Sequence, residues 1–208
     1  MLSFSEFFHL CYGVWQIERT YHYLDTGEIE RSHTEYDVRS LPDSGRDFLL
    51  HCKTDLQFDV NILQAQPELL AGFAIAFKTI SETGEQLSME LHALFVPDAH
   101  VLRGQTAYPL PPCAVMPSVP ENITGYYLRN KGYSEAGIAI GRFCYQPTRQ
   151  MLEMTTYYQK SIAVDQMRLV DHSTRLRNII TYSRPEQEIT LIGFGVEQRL
   201  QHQENIKS

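Results

Sequence analysis

From residue 137 onward the chain repeats one rhythm, a short apolar and aromatic run followed by a turn. The runs read GIAIGRFCY, MLEMTTYYQ, MRLVDHS leading into TRLRNIITYS, and ITLIGFGVEQRL, with QPTRQ and RPEQ as punctuation. β-Branched and aromatic residues suit a pleated, half-buried surface, and tight turns join antiparallel neighbours. The first half behaves alike. WQIERTYHYL runs into the turn DTGE and a second strand, IERSHTEYDV, and MELHALFV follows a strand over residues 73–80 and the turn SETGE. There is no βαβ rhythm, no repeat period and no low-complexity tract. The pattern predicts an all-β chain, an antiparallel sheet of about eight to ten strands closed as a sandwich or an up-and-down barrel. With 208 residues, a single domain over 1–208 is expected.

Departures from the rhythm are local. In SFSEFFHL, Ser3 and Glu6 fit a capping box, and Phe4, Phe7, Phe8 and Cys11 recur at helical spacing, so the chain should open with a helix ended by Gly13. SLPDSGRD breaks the strand pattern, and Ser44 with Asp47 is placed to cap a short helix reaching Cys52. DVNILQAQPELLAG reads as a short helix or turn. Pro97 to Pro120 carries six of the ten prolines. That density excludes a central strand and predicts a long loop to Thr124, suited to a lid or a binding surface.

Composition removes several function classes. A net charge of −7 argues against a dedicated nucleic-acid binder but leaves room for a local basic pocket. The N-terminus lacks a basic n-region, and no run approaches the ~20 apolar residues of a membrane span, so a soluble, intracellular protein is expected. The four cysteines have no CxxC spacing and no histidine pair has ligand spacing, so no metal is expected. Nucleotide-binding glycine motifs, HExxH and GxSxG are absent.

What remains is charge inside strand patterns. In WQIERTYHYL, Trp15, Ile17, Arg19, Tyr21 and Tyr23 share one face, and the face that looks buried holds an arginine at its centre. Burying a lone guanidinium costs several kcal/mol, so Arg19 calls for an anion. Arg175 and Arg177 share a face with Ile179. Glu197 shares parity with Gly193 and Gly195, which would leave open volume beside the carboxylate. Two readings stand. Strand arginines can point to solvent and bridge surface carboxylates for ~0–1 kcal/mol. Alternatively, these groups line one cavity for a ligand bearing carboxylates. Tyr21 and its fellow tyrosines are core and rim, or a surface for a flat conjugated ligand.

The same residues carry a likeness. FF then GxW, RTYHYL, HTEYDV, FVPD, LRNKGYSE, GRFCY, RLRN and GVEQRL occur in this order over nearly the whole chain. The ordered set resembles the CpcS/CpeS family of phycobilin lyases, also called S/U-type, and the ending LIGFGVEQRL resembles its U-type subset. The resemblance implies a lipocalin-like, fatty-acid-binding-protein-like antiparallel barrel with an N-terminal helix and short helices. It implies attachment of a linear tetrapyrrole, phycocyanobilin or a relative, to a cysteine of a phycobiliprotein. Trp15, Arg19 and His22 fall on the family's first-strand motif, Arg129, Tyr133 and Glu135 on its LRxxGYxE stretch, Arg175 and Arg177 on its LRxR stretch, and Glu197 on its last strand.

On that reading Arg19, Arg175 and Arg177 meet propionates, Trp15 and Tyr21 line the pigment, and Glu197 faces its pyrrole nitrogens. His22 handles a proton near neutral pH. The bilin is substrate and no further cofactor is required. The expected partners are a phycobiliprotein apo-subunit and an S-type lyase subunit or a second copy, in the cyanobacterial cytoplasm or plastid stroma. The alternatives are a non-catalytic bilin carrier or chaperone, an accessory subunit of an S/U heterodimer, and a generic lipocalin-like binder of fatty acids or haem.

Overall fold

The computed structural model describes residues 1–104, 111, 119–132 and 137–200. The chain opens with helix α1 (Phe4–Cys11), where Ser3 and Glu6 form the expected reciprocal capping box. Strands β1 (Gly13–Tyr23) and β2 (Ile29–Ser40) form a hairpin. Helix α2 (Asp43–Leu50), the short strand β3 (Gln57–Phe58) and helix α3 (Val60–Ala65) follow. Next come β4 (Ala71–Ser81), β5 (Gln86–Pro97) and the short β6 (Val101–Arg103). The rest is β7 (Ile123–Arg129), β8 (Ala139–Gln146), β9 (Met151–Tyr157), β10 (Ser161–Leu169), β11 (Thr174–Ser183) and β12 (Ile189–Arg199).

Ten strands close into an antiparallel barrel in the order β1-β12-β11-β10-β9-β8-β7-β5-β4-β2, with β2 returning to β1. The strands β3 and β6 pair outside it. Three sequence expectations need correction. Ser44 caps nothing: α2 begins at Asp43 after Pro42 without a side-chain cap, and it stops at Leu50 rather than Cys52. The proline-rich stretch is not loop throughout, because β6 pairs with β3 and β7 begins at Ile123. The strand expected around MRLVDHS starts earlier, at Ser161, and a turn separates it from β11.

Helix α1 plugs one end of the barrel. Phe7 and Phe8 are buried among Phe95, Phe143, Tyr145 and Leu152, and Phe4 stacks on Phe143 with centroids 5.5 Å apart. Trp15, fully buried, donates its indole N–H to the Cys11 carbonyl at 3.0 Å and so ties β1 to the helix. A second apolar layer lies outside the wall. Leu49 of α2 and Leu63 of α3 cover Leu94, Val96 and Leu128 on the outward face of β5 and β7. The opposite end is rimmed by the turns after β1, β4, β9 and β11. No helix among the described residues is long and apolar enough to cross a membrane.

Candidate functional site

The barrel encloses a cavity of about 430 Å³, within the usual range of roughly 300–1,000 Å³ for small-molecule sites. Its wall is largely apolar, with Phe73, Ile75 and Phe77 from β4, Leu91 from β5 and Met154 from β9. Strand alternation brings polar side chains onto this wall from three directions: Arg19 and Tyr21 from β1, Asp165 and Arg177 from β10 and β11, and Arg129 and Tyr158 from the far side.

Cross-strand register decides what each arginine meets. Arg175 stands directly opposite Glu197. Its Nε lies 2.7 Å from Glu197 Oε2, off the N–H axis, so the contact is an ion pair rather than an aligned hydrogen bond. Its Nη2 donates to the Tyr36 hydroxyl at 3.0 Å, and its guanidinium stacks 3.7 Å from the Trp15 ring. Arg177 stands one step along, opposite Gly195, and donates from Nε to Asp165 Oδ1 at 2.6 Å and from Nη2 to Asp165 Oδ2.

Arg19 faces the same glycine from the other side, and its neighbour on β2 is Ser32. The two arginine backbones are therefore about 10 Å apart, two strand spacings. Among the described residues Arg19 forms no ion pair. It donates from Nη1 to the Tyr21 hydroxyl at 3.3 Å, and its Nε is shut off from solvent without a partner. An inward cation with only a phenol for company is a standing cost, and an entering anion removes it.

Burial opposes ionisation of Glu197, but the guanidiniums of Arg175 and Arg177 outweigh it and hold the carboxyl below its ordinary range. A lowered folded pKa contributes stability above the unfolded value of about 4.3, and that stability is lost as pH falls through the folded value. The melting-temperature advantage of the parent over Glu197→Gln should thus be constant from neutral pH down to about pH 5 and shrink below about pH 4. Scanning calorimetry across a pH series checks this.

The expected site residues divide. Arg19, Tyr21, Arg129 and Arg177 line the cavity, and Arg175 touches its floor. Trp15 does not line it: it is sandwiched between Arg175 and Arg199, the latter 4.5 Å from its ring, and closes the floor from behind. Glu197, with no exposed side chain, lies behind Arg175 and is not on the cavity wall. His22 has even parity, so it lies on the outer surface, stacked on Phe194 with centroids 5.8 Å apart. A proton-handling role inside the barrel does not fit it. Gly193 and Gly195 leave no open volume, because the Tyr21 ring and Ile17 occupy the space their side chains would take. Tyr133 and Glu135 lie outside the described residues.

Asp165 is the group the sequence reading missed. The strand SIAVDQMRL puts Ser161, Ala163, Asp165 and Met167 on one face, and that alternation becomes readable once the strand is begun at Ser161. The three described thiols are shifted away from the nucleophilic thiolate, and Cys113 lies outside the described residues. Burial pushes Cys11 and Cys52 up, and burial with Glu153 nearby pushes Cys144 up to about 11. Among the described residues no cluster of His, Cys, Asp or Glu could hold a metal ion.

The comparisons with known proteins agree with one another. A family model described as CpeS-like protein matches residues 3–106 and 112–200. The protein named Chromophore lyase CpcS/CpeS 1 from Synechococcus sp. (strain JA-3-3Ab) is 38% identical over 203 residues, 95% of this chain and 97% of that one. Among solved structures, the S-type phycobiliprotein lyase CpeS from Guillardia theta superposes with a TM-score of 0.65 at 15% identity, covering 96% of this chain and 94% of that chain. At that identity the likeness speaks to the fold, and it matches the barrel described above.

Proposed function

Because the chain belongs to the CpeS-like family, we propose that it is a chromophore lyase that holds a linear tetrapyrrole inside the barrel and directs its attachment to a phycobiliprotein cysteine. The observation that carries this reading is Arg19, a cation without a carboxylate partner among the described residues, facing an apolar cavity. An open-chain bilin is flat and apolar along its length and ends in two propionates. Phe73, Phe77, Leu91 and Met154 suit its length, and Arg19 with Tyr21 suits one propionate.

The geometry changes the other roles. Arg175 is already committed to Glu197, Tyr36 and Trp15, so it braces the floor rather than the ligand. Arg129, which donates to the Tyr158 hydroxyl at 2.5 Å across the cavity from Arg19, is the candidate for the second propionate. Asp165, held by Arg177 on the wall, replaces Glu197 as the carboxylate that can face the pyrrole nitrogens. Held so, the pigment presents its ring A at the open rim. The acceptor thiolate's electron pair forms the C–S bond to the ethylidene carbon, and the pair of the broken C=C π bond takes up a proton as the new C–H bond on the adjacent carbon. The protein's contribution is orientation and exclusion of oxidation rather than a nucleophile of its own.

Purified chain, phycocyanobilin and a phycobiliprotein apo-subunit test this directly. The expected result is a red-shifted pigment complex, followed by covalent attachment faster and more uniform than without the chain. A pigment complex with no acceleration would leave a carrier in place of a lyase. An addition that needs no enzyme thiol gives a second expectation: Cys52→Ser, Cys113→Ser and Cys144→Ser together leave the rate of attachment unchanged. Loss of transfer in a folded triple variant would mean that the pigment passes through an enzyme thioether.

A further inference from the structure

Four polar side chains of β2 share the inward face of β1, each opposite one of its residues: Glu30 opposite Tyr21, Ser32 opposite Arg19, Thr34 opposite Ile17 and Tyr36 opposite Trp15. Three are engaged. Glu30 accepts from the Tyr23 hydroxyl at 3.0 Å, the Thr34 and Thr79 hydroxyls bond each other at 2.8 Å, and the Tyr36 hydroxyl accepts from Arg175 at 3.0 Å. Ser32, 3% exposed, has no hydrogen-bond partner for its Oγ among the described residues. Its neighbour on β4, Ser81, is held instead by the Thr83 hydroxyl and the N–H of Glu85.

Buried polar groups are normally paired, so each exception asks for a reason. Here two exceptions face each other. Arg19 Nε carries a hydrogen and is shut off from solvent without a partner, and Ser32 Oγ, across the ladder, is an acceptor without one. Residues directly opposite in an antiparallel pair have Cβ atoms about 4.5–5.5 Å apart, within reach of a side-chain hydrogen bond. In the empty barrel the guanidinium leans along its own strand instead. Its Nη1 donates to the Tyr21 hydroxyl at 3.3 Å, longer than a usual hydrogen bond.

We propose that Ser32 is a positioning residue for the cation that receives the ligand. The inference rests on the reading of the cavity as a bilin site. An entering propionate draws the guanidinium off Tyr21. Arg19 Nε then donates to Ser32 Oγ, and Nη1 and Nη2 are left to donate to the two carboxylate oxygens side by side. Both orphaned groups are satisfied in that state, so the pairing is made only when an anion is bound. A pigment ester does not draw the guanidinium across and gains nothing from Ser32.

Titration of phycocyanobilin and its dimethyl ester against Ser32→Ala, Ser32→Thr, Arg19→Ala and the double variant tests the inference, with a thermal melt of each protein. Ser32→Ala should bind the free acid about tenfold more weakly than the parent and the ester equally well. It should melt no lower, because the hydroxyl has no partner to lose in the empty barrel. Ser32→Thr returns the hydroxyl on a side chain that suits a strand, and should recover the affinity. Added to Arg19→Ala, Ser32→Ala should change nothing, since Ser32 acts through that guanidinium. A Ser32→Ala variant that keeps the parent's full preference for acid over ester would overturn the inference and leave the bilin reading intact. So would an equal loss with and without Arg19, or a melting temperature well below the parent's, which would make Ser32 a structural residue. A parent that binds acid and ester alike would overturn the reading and this inference together.

Discussion

Replacing Arg19 by Ala abolishes chromophore transfer and leaves the barrel at least as stable as the parent. The two halves have one cause. Arg19 has no counter-ion among the described residues, so its removal strands no buried carboxylate and relieves an unpaired cation. Its loss is felt only when the ligand arrives. Two charge-assisted hydrogen bonds to a propionate, at about 1.5–3 kcal/mol each, amount to more than about a hundredfold in affinity. Absorption titration with phycocyanobilin gives the affinity, and a thermal melt without ligand gives the stability. A variant that melts well below the parent would mean that Arg19 has a structural partner. A variant that transfers pigment at the parent's rate would remove it from the site.

Glu197→Ala behaves in the opposite sense and is expected to be the most damaging single change in the barrel. It leaves Arg175, 2% exposed, without its carboxylate. Removing one partner of a buried pair costs about 3–5 kcal/mol. At roughly 2–4 °C per kcal/mol for a chain of this size, the melting temperature should drop by about 10 °C. Most of that cost is the stranded charge rather than the worth of the pair. The double variant Glu197→Leu with Arg175→Met should therefore recover most of the loss, and a double-mutant cycle measures how much. If the double variant is as unstable as the sum of the singles, the two residues do not act as a pair.

These two variants also mark how far the sequence could be read. Period-two alternation in WQIERTYHYL placed Arg19 on the same face as Trp15 and Ile17, and the structure keeps it there. The capping box and the spacing of Phe4, Phe7 and Phe8 were enough to place α1. Alternation also put His22 on the opposite face, where it lies, so the likeness that suggested a role for it carried less weight than its parity. Pairing was not legible. Arg175, Arg177 and Arg19 look equivalent one strand at a time. Only the register shows that the first stands opposite Glu197 while the other two flank Gly195. Register is set by closure of the whole barrel, and a two-residue slip would have set Arg177 opposite Glu197 in place of Arg175. Asp165 stayed hidden for a related reason: reading its strand from MRLVDHS left the aspartate outside the pattern that aims it inward.

Titration with phycocyanobilin and with its dimethyl ester, against the parent and Arg19→Ala, tests the central claim most directly. If interior guanidinium holds the pigment by its acidic ends, the free acid binds the parent about a hundredfold or more tighter than the ester. That preference should then shrink sharply in Arg19→Ala. Equal binding of acid and ester by the parent would contradict the account.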